Sequence, residues 1–86
     1  MATVTMYTTR TCPFCKMQKD YFNSKSIVYR EILVDENPDE AQKMIEISGQ
    51  MGVPFTVIVK NDGAQVNILG FDRARIDAAL EPGSNH

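Results

Sequence analysis

The alternation of apolar and polar residues predicts a strand at the start of the chain and a helix soon after it. In Thr3–Thr8, Val4 and Met6 fall on one face and the residues between them on the other, which is the period of a strand. From Phe14 to about Ser24, apolar residues return at spacings of three and four, which is the period of a helix. The predicted inner stripe of this helix consists of Phe14, Met17, Tyr21 and Phe22.

The middle of the chain predicts a second strand and a second helix. Ile27–Val34 is β-branched and apolar, and the helix that connects it to the first strand predicts that the two strands are parallel. The second helix is expected to begin with Asn37 as the N-cap, Pro38 at the first position and Glu40 at the capping-box position. We expect it to end near Gly49, in a left-handed cap.

A hairpin and a third helix complete the predicted order. Phe55–Lys60 and Gln65–Leu69 are predicted as antiparallel strands, joined by the turn residues Asn61-Asp62-Gly63. Asp72 is expected to cap a last helix, which ends at Glu81-Pro82-Gly83. The order βαβαββα predicts an α/β fold, with one four-stranded mixed sheet and helices on both of its faces.

Length and composition predict one domain with a packed core. The chain has 86 residues, of which 43% are hydrophobic and 23% are charged, which is ordinary globular usage. We expect residues 1–83 to form the domain and residues 84–86 to fray. The net charge of -2 gives no cluster of positive charge, so neither nucleic acid nor a membrane is expected as a partner.

The role expected of the two cysteines depends on the cellular compartment in which the protein is found. The longest apolar run, Phe55–Val59, is interrupted by Thr56 and is too short to cross a bilayer. Met1–Val4 has no Lys or Arg and no apolar segment of a secretory signal, so the chain as given is expected in the cytosol. Thiols are kept reduced there, so a Cys-x-x-Cys pair indicates catalysis or metal binding before a structural disulfide.

That pair, Cys12 and Cys15, lies where the first strand passes into the first helix. The unpaired N–H groups and the positive dipole end of a helix beginning at Cys12 favour a sulfur anion there, so Cys12 is the predicted nucleophile. Pro13 suits the first helical position, and Cys15 lies one turn on as the predicted resolving thiol. Arg10 and Lys16 flank the pair and are expected to add modest positive potential.

Three other interpretations of the pair can be considered. A zinc site needs four ligands, and the chain offers two Cys and a single His, His86, near its C-terminus. A structural disulfide across so short a loop removes little chain entropy, so it contributes little stability. An iron–sulfur cluster or metal ion shared by two copies of the chain, with Cys12 as a ligand, remains a third alternative, that of a dimeric carrier.

Three segments, in the order in which they occur, resemble the glutaredoxin family, in particular its small bacterial and archaeal members. The first is Tyr7-Thr8-Thr9-Arg10-Thr11-Cys12-Pro13-Phe14-Cys15. The other two are Ser48-Gly49-Gln50-Met51-Gly52-Val53-Pro54 and Leu69-Gly70-Phe71-Asp72. The resemblance implies a thioredoxin fold with Cys12 as the nucleophile.

The resemblance also implies a substrate site around the cysteines. In this family a Val-Pro pair matching Val53 and Pro54 carries a cis proline that faces the active site, although a turn proline before a strand fits the sequence equally well. The family's Gly-Gly-x-Asp segment is kept here at Gly70 and Asp72, with Leu69 in place of the first Gly. The substrate or glutathione site implied in this way comprises Arg10, Pro13, Phe14, Val53, Pro54, Gly70, Phe71 and Asp72.

The resemblance leaves the electron donor open. Two differences from the family weaken the case for glutathione. Leu69 stands where the family has the first Gly of its Gly-Gly-x-Asp segment, and the basic residue that the family usually has at the position of Thr9 lies one residue later, at Arg10. Relatives that take electrons from thioredoxin reductase and serve ribonucleotide reductase share Gly70-Phe71, but they continue differently from Asp72. We therefore expect a monomeric oxidoreductase acting on disulfide-containing proteins, with glutathione or thioredoxin reductase as the donor and no tightly bound cofactor.

Overall fold

The computed structural model describes residues 3–50 and 52–80 and contains the predicted elements in the predicted order. Its strands and helices are β1 (Thr3–Thr8), α1 (Pro13–Ser24), β2 (Arg30–Leu33), α2 (Pro38–Ser48), β3 (Phe55–Val59), β4 (Gln65–Leu69) and α3 (Arg73–Leu80). The predicted end of the last helix at 81–83 and the predicted tail at 84–86 lie outside the described residues.

The four strands form one mixed sheet in the order β2-β1-β3-β4. β1 and β2 are parallel, with Met6 opposite Glu31. β1 and β3 are antiparallel, with Val4 opposite Ile58, and β3 and β4 are also antiparallel. The predicted thioredoxin-like α/β architecture is therefore confirmed.

Each face of the sheet carries its own core. Helices α1 and α3 cover one face, and α2 covers the other. The larger core consists of Val4, Met6, Cys15, Phe22, Ile58, Ile68, Ile76 and Ala79. The smaller core consists of Tyr7, Met44 and Phe55. Because successive side chains of a strand point to opposite faces, β1 contributes to both cores and carries the turn with the cysteines at its end.

The second strand is shorter than predicted because its first residues belong to the end of α1. The backbone N–H of Ile27 donates to the carbonyl of Phe22 at 2.8 Å, and Ser26 has a φ of 57°. Val28, which follows, is 88% exposed. Pairing with β1 therefore starts only at Arg30.

The predicted cap residues occupy all three positions, but the side chain caps the helix at only one of the two N-caps. Gly49 ends α2 with a φ of 81°, and Asp72 Oδ1 accepts the backbone N–H of Arg75 at 3.1 Å at the start of α3. The side chain of Asn37 makes no capping bond, because its Nδ2 donates to the carbonyl of Leu33 at 2.8 Å. Asn37 thus ties the start of α2 to the end of β2.

The predicted inner stripe of α1 is wrong at two of its four residues: Phe22 is buried and Tyr21 packs against the larger core, but Phe14 and Met17 face outward. Phe14 and Met17 are 59% and 51% exposed, whereas Gln18 is fully buried. The buried face runs through Cys15, Gln18 and Phe22, because these are the side chains that reach the sheet. Two large apolar side chains are thereby left on the surface next to the cysteine turn.

The buried amide of Gln18 depends on one partner in β3. Its Nε2 donates to Thr56 Oγ1 at 2.6 Å, and its Oε1 has no partner among the described residues. We expect Thr56→Val to destabilise the fold by about 1–3 kcal/mol, because it leaves the whole amide buried without a partner. Adding Gln18→Leu should recover most of that loss, since both polar groups are then absent.

Urea unfolding of the two variants checks this expectation. Thr3→Val is the matched control, because Thr3 lies in the same sheet but is exposed. A double variant less stable than Thr56→Val alone would contradict the role assigned to the Gln18 and Thr56 pair.

Candidate active site

Cys12 is the N-cap of α1. Its backbone is extended, with φ -87° and ψ 112°, and its Sγ accepts the backbone N–H of Cys15 at 3.1 Å. Pro13 occupies the first turn, where its missing N–H removes one donor that the helix would leave unpaired. The geometry thus directs a helix N-terminal amide, with the positive end of the helix dipole, at the sulfur of Cys12.

Cys15 differs sharply from Cys12 in its surroundings. Its side chain is 1% exposed and belongs to the larger core, whereas Cys12 is only partly buried. Burial, followed by the hydrogen bond to Cys12, raises the pKa of the Cys15 thiol from 9.0 to about 12. Cys15 therefore stays protonated at neutral pH, and the two sulfurs are chemically unequal.

The loop before β3 lies beside Cys12. The Val53–Pro54 peptide bond is cis, as the resemblance implies, and the Val53 carbonyl is 3.9 Å from Cys12 Sγ. The carbonyl of Pro54 in turn accepts the backbone N–H of Gly70 at 2.8 Å. These contacts bring residues from three parts of the chain, the cysteine turn, the proline loop and the end of β4, to one place.

Three large apolar side chains of these segments are exposed. Phe14 and Met17 belong to α1, and Leu69 ends β4. Leu69, which is 45% exposed, packs over Gly52, since a β-carbon on Gly52 would lie 3.1 Å from its Cδ1. Exposed apolar side chains of this kind suit an apolar segment of a protein substrate.

Two of the predicted binding residues are held by charged neighbours. Arg10 Nε lies 3.3 Å from Asp35 Oδ2 and 3.1 Å from Glu36 Oε2, in the loop after β2. Asp72, besides capping α3, lies 3.5 Å from the Nε of Arg75. Neither charge is free of a counter-charge on this chain.

Phe71, another predicted binding residue, serves the fold. It packs against the larger core, and its ring centroid is 5.9 Å from that of Tyr21. The structure therefore brings Pro13 and Val53 to Cys12 through backbone geometry, and it joins Gly70 to the proline loop at Pro54. It uses Phe71 and Asp72 to build and cap the adjoining helix.

The sequence analysis did not predict the ion pair between Lys19 of α1 and Glu31 of β2. Lys19 Nζ lies 2.9 Å from Glu31 Oε2, and Thr8 Oγ1 donates to the same oxygen at 2.8 Å. Lys19 is four residues after Cys15 on α1, so helical spacing alone could have placed it on the same face. The pairing with Glu31 could not be predicted from helical spacing, because the position of Glu31 depends on the register of β2.

The described residues hold no group of three or more His, Cys, Asp or Glu side chains arranged to bind a metal ion. Among the helices of 3–50 and 52–80, none has the length and apolar character needed to cross a membrane. What the arrangement can do is thiol exchange: it offers an exposed edge of Cys12 to a disulfide and holds a second thiol one helical turn away.

Comparison with known proteins agrees with this chemistry. The family model described as Glutaredoxin matches residues 4–62. An uncharacterized glutaredoxin-like 8.6 kDa protein in the rubredoxin operon of Clostridium pasteurianum is 37% identical over 78 residues, which cover 91% of this chain and 97% of that protein.

Two solved structures show the same likeness. The glutaredoxin of Archaeoglobus fulgidus superposes with a TM-score of 0.75 at 29% identity, over 95% of this chain and 89% of that one. The glutaredoxin-like protein NrdH-redoxin of Escherichia coli superposes with a TM-score of 0.70 at 26% identity, over 93% and 96% of the two chains. On these matches and on the geometry of its two cysteines, the chain belongs to the glutaredoxin family of thiol–disulfide oxidoreductases.

Proposed function

We propose that this protein reduces protein or glutathione mixed disulfides through Cys12 and Cys15. Cys12 attacks the substrate disulfide and forms a mixed disulfide with one half of it. Cys15 then attacks the Cys12 sulfur, the second half of the substrate leaves as a thiol, and a Cys12–Cys15 disulfide remains. An external reductant restores the two thiols.

The observation that carries the proposal is the inequality of the two sulfurs. Cys12 is partly exposed and receives a helix N-terminal N–H at 3.1 Å, while Cys15 is buried and protonated. An attacking sulfur has to reach the substrate, and a resolving sulfur has to wait until the mixed disulfide has formed. The attacking role of Cys12 and the resolving role of Cys15 therefore follow from the positions of the two sulfurs.

A coupled assay tests both the activity and its electron donor. NADPH oxidation is followed while a model protein disulfide such as insulin is reduced, in one arm with glutathione and glutathione reductase and in the other with thioredoxin reductase alone. The proposal expects at least one arm to run. A protein inactive in both arms, and unable to reduce insulin with dithiothreitol as the donor, would refute it.

Two contacts favour thioredoxin reductase as the donor. Arg10, the nearest match to the family's basic residue, is paired with Asp35 and Glu36, so its charge is offset before an anionic tripeptide arrives. Leu69 covers Gly52 beside the proline loop. The similar NrdH-redoxin of Escherichia coli has a thioredoxin-like activity profile. A role as electron donor to ribonucleotide reductase is the matching second candidate.

Shortening Leu69 tests whether its side chain, which covers Gly52, selects against glutathione. We expect Leu69→Ala to raise the rate of the glutathione arm by about three- to tenfold, because the surface over Gly52 opens. Ile47→Ala is the matched control, since Ile47 is similarly exposed, at 42%, but lies on α2. An equal response of both variants, or no gain with Leu69→Ala, would contradict the selection.

The proposal places the protein in the cytosol, where thioredoxin and glutathione systems supply electrons. It acts as a monomer, because each step uses groups of a single chain. Size-exclusion chromatography with light scattering checks the second point.

A further inference from the structure

The ion pair between Lys19 and Glu31 is held in one place by three elements of the fold. Lys19 lies on α1, Glu31 on β2 and Thr8 at the end of β1. The Lys19 and Glu31 side chains are 32% and 28% exposed, and Thr8 is fully buried. A partly buried ion pair with a third, buried hydrogen-bond donor is far better fixed than an exposed surface pair.

The resolving step is the one that this pair can influence. Cys15 must attack as a thiolate, yet its site is nearly closed to water. A positive charge nearby favours the anion, and a neighbouring carboxylate weakens that effect. Lys19 follows Cys15 by four residues, so the two side chains share one face of α1.

We propose that Lys19 is a positioning residue for the resolving step, holding a positive charge beside Cys15 while Glu31 and Thr8 fix where that charge lies. The inference rests on the proposed function, because it concerns the second half of that reaction. It gives a role to Lys19, which forms and breaks no covalent bond in the reaction.

The step balances without any further reagent. The thiolate of Cys15 attacks the Cys12 sulfur of the mixed disulfide, the Cys12–substrate S–S bond breaks, and the Cys12–Cys15 S–S bond forms. Cys12 and Cys15 together give up the two electrons that reduce the substrate disulfide. The proton released by Cys15 is matched by the one that the departing thiolate takes up.

The charges that act on Cys15 are consistent with this role. Besides burial, the groups that shift the pKa of Cys15 are Cys12, a backbone hydrogen bond at Thr9, and Lys19, which lowers it. The hydrogen bond to Glu31 chiefly raises the pKa of Lys19, and Tyr29 also contributes, so Lys19 stays charged.

Glu31 also stays charged at neutral pH. Partial burial raises the pKa of its carboxyl, but the hydrogen bonds from Lys19 and Thr8 outweigh burial, and the net direction is downward. Removing the charge of Lys19 therefore takes away a group that lowers the pKa of Cys15, whereas removing the charge of Glu31 leaves Lys19 without its counter-charge.

The two half-reactions can be separated with dithiodipyridine, an uncharged disulfide whose leaving group absorbs in the near ultraviolet. Stopped-flow mixing with the reduced protein gives one leaving group when Cys12 attacks and a second when Cys15 resolves. Cys15→Ser should abolish only the second phase. If the wild-type protein shows no second phase, the proposed function fails, which is a different outcome from the failure of this inference.

We expect Lys19→Met to slow the second phase about three- to tenfold at pH 7 and to move its pH profile upward, with the first phase unchanged. The change in rate is smaller than the change in thiolate fraction, because a more basic thiolate is a better nucleophile. Lys19→Arg keeps the charge and should restore most of the rate. Glu31→Gln keeps a side-chain oxygen that can accept from Lys19 and Thr8 but removes the counter-charge, so it should accelerate the second phase and move its pH profile downward.

Lys43→Met and Glu40→Gln provide the matched control, because this Lys–Glu pair lies on α2 with 3.6 Å between its charged atoms. Neither change should alter either phase. Equal slowing by Lys19→Met, Lys19→Arg and Glu31→Gln would show a structural role and overturn the inference. An unmoved pH profile in Lys19→Met would overturn it as well.

Discussion

Replacing Cys12 with Ser is expected to abolish disulfide reduction, with a loss of at least about a thousandfold in the coupled assay. A serine hydroxyl at the start of α1 is not ionised near neutral pH, and it cannot form the mixed disulfide on which the reaction depends. The fold should survive the change, because Cys12 is only partly buried and a serine Oγ can still accept the N–H of Cys15, which Sγ accepts at 3.1 Å.

Cys15→Ser is the control for that variant, because it should stop the reaction at a different point. Cys12 can still attack, so the protein should accumulate as a mixed disulfide with its substrate, visible as an added mass in intact-protein mass spectrometry. Full turnover by Cys12→Ser, or a mixed disulfide on Cys15 in that variant, would reverse the assigned roles.

The features of the site that sequence predicts well are those set by neighbours in the chain. The position of Cys12 at a helix start, the first-turn position of Pro13 and the left-handed Gly49 follow from rules that span a few residues. The cap at Asp72 belongs to the same class. The cis bond before Pro54 was implied by resemblance alone, since local rules leave both isomers open.

What sequence could not predict depends on packing and register. The periodicity of α1 fits an inner stripe with Phe14 and Met17, yet the helix turns Gln18 inward because Cys15 and Phe22 meet the sheet on that side. A buried amide is acceptable there only because Thr56 of β3 lies opposite it. No pattern within α1 contains that information.

The charged neighbours of the site show the same dependence. Arg10 reaches Asp35 and Glu36 only because β2 lies beside β1 in parallel. The Lys19–Glu31 pair depends likewise on the register that sets Glu31 opposite Met6. Rules that span a few residues therefore predicted the positions of Cys12 and Cys15, whereas the charged residues near them could be located only from the tertiary structure.

The burial of Cys15 predicts how the stability of the reduced protein changes with pH. The folded pKa of about 12 lies above the ordinary 9.0, so between these values the native state holds a proton that the unfolded chain has lost. Stability from this group is complete below pH 9.0 and declines as pH rises toward 12. The slope is at most about 1.4 kcal/mol per pH unit, since one proton is involved.

The free energy of unfolding of the reduced wild-type protein, measured in urea from pH 7 to 11, is to be compared with that of Cys15→Ala. Lys19 and Tyr21 also titrate at high pH in the folded protein, but they are present in both chains, and Cys15 is the smallest of the groups that shift the pKa of Lys19, so the difference reports chiefly on Cys15. The advantage of the wild-type protein should be constant to about pH 9 and then shrink by roughly 2–3 kcal/mol by pH 11. A difference that stays level across this range would show that water reaches the Cys15 thiol in the folded protein, and the inequality of the two sulfurs would lose its physical cause.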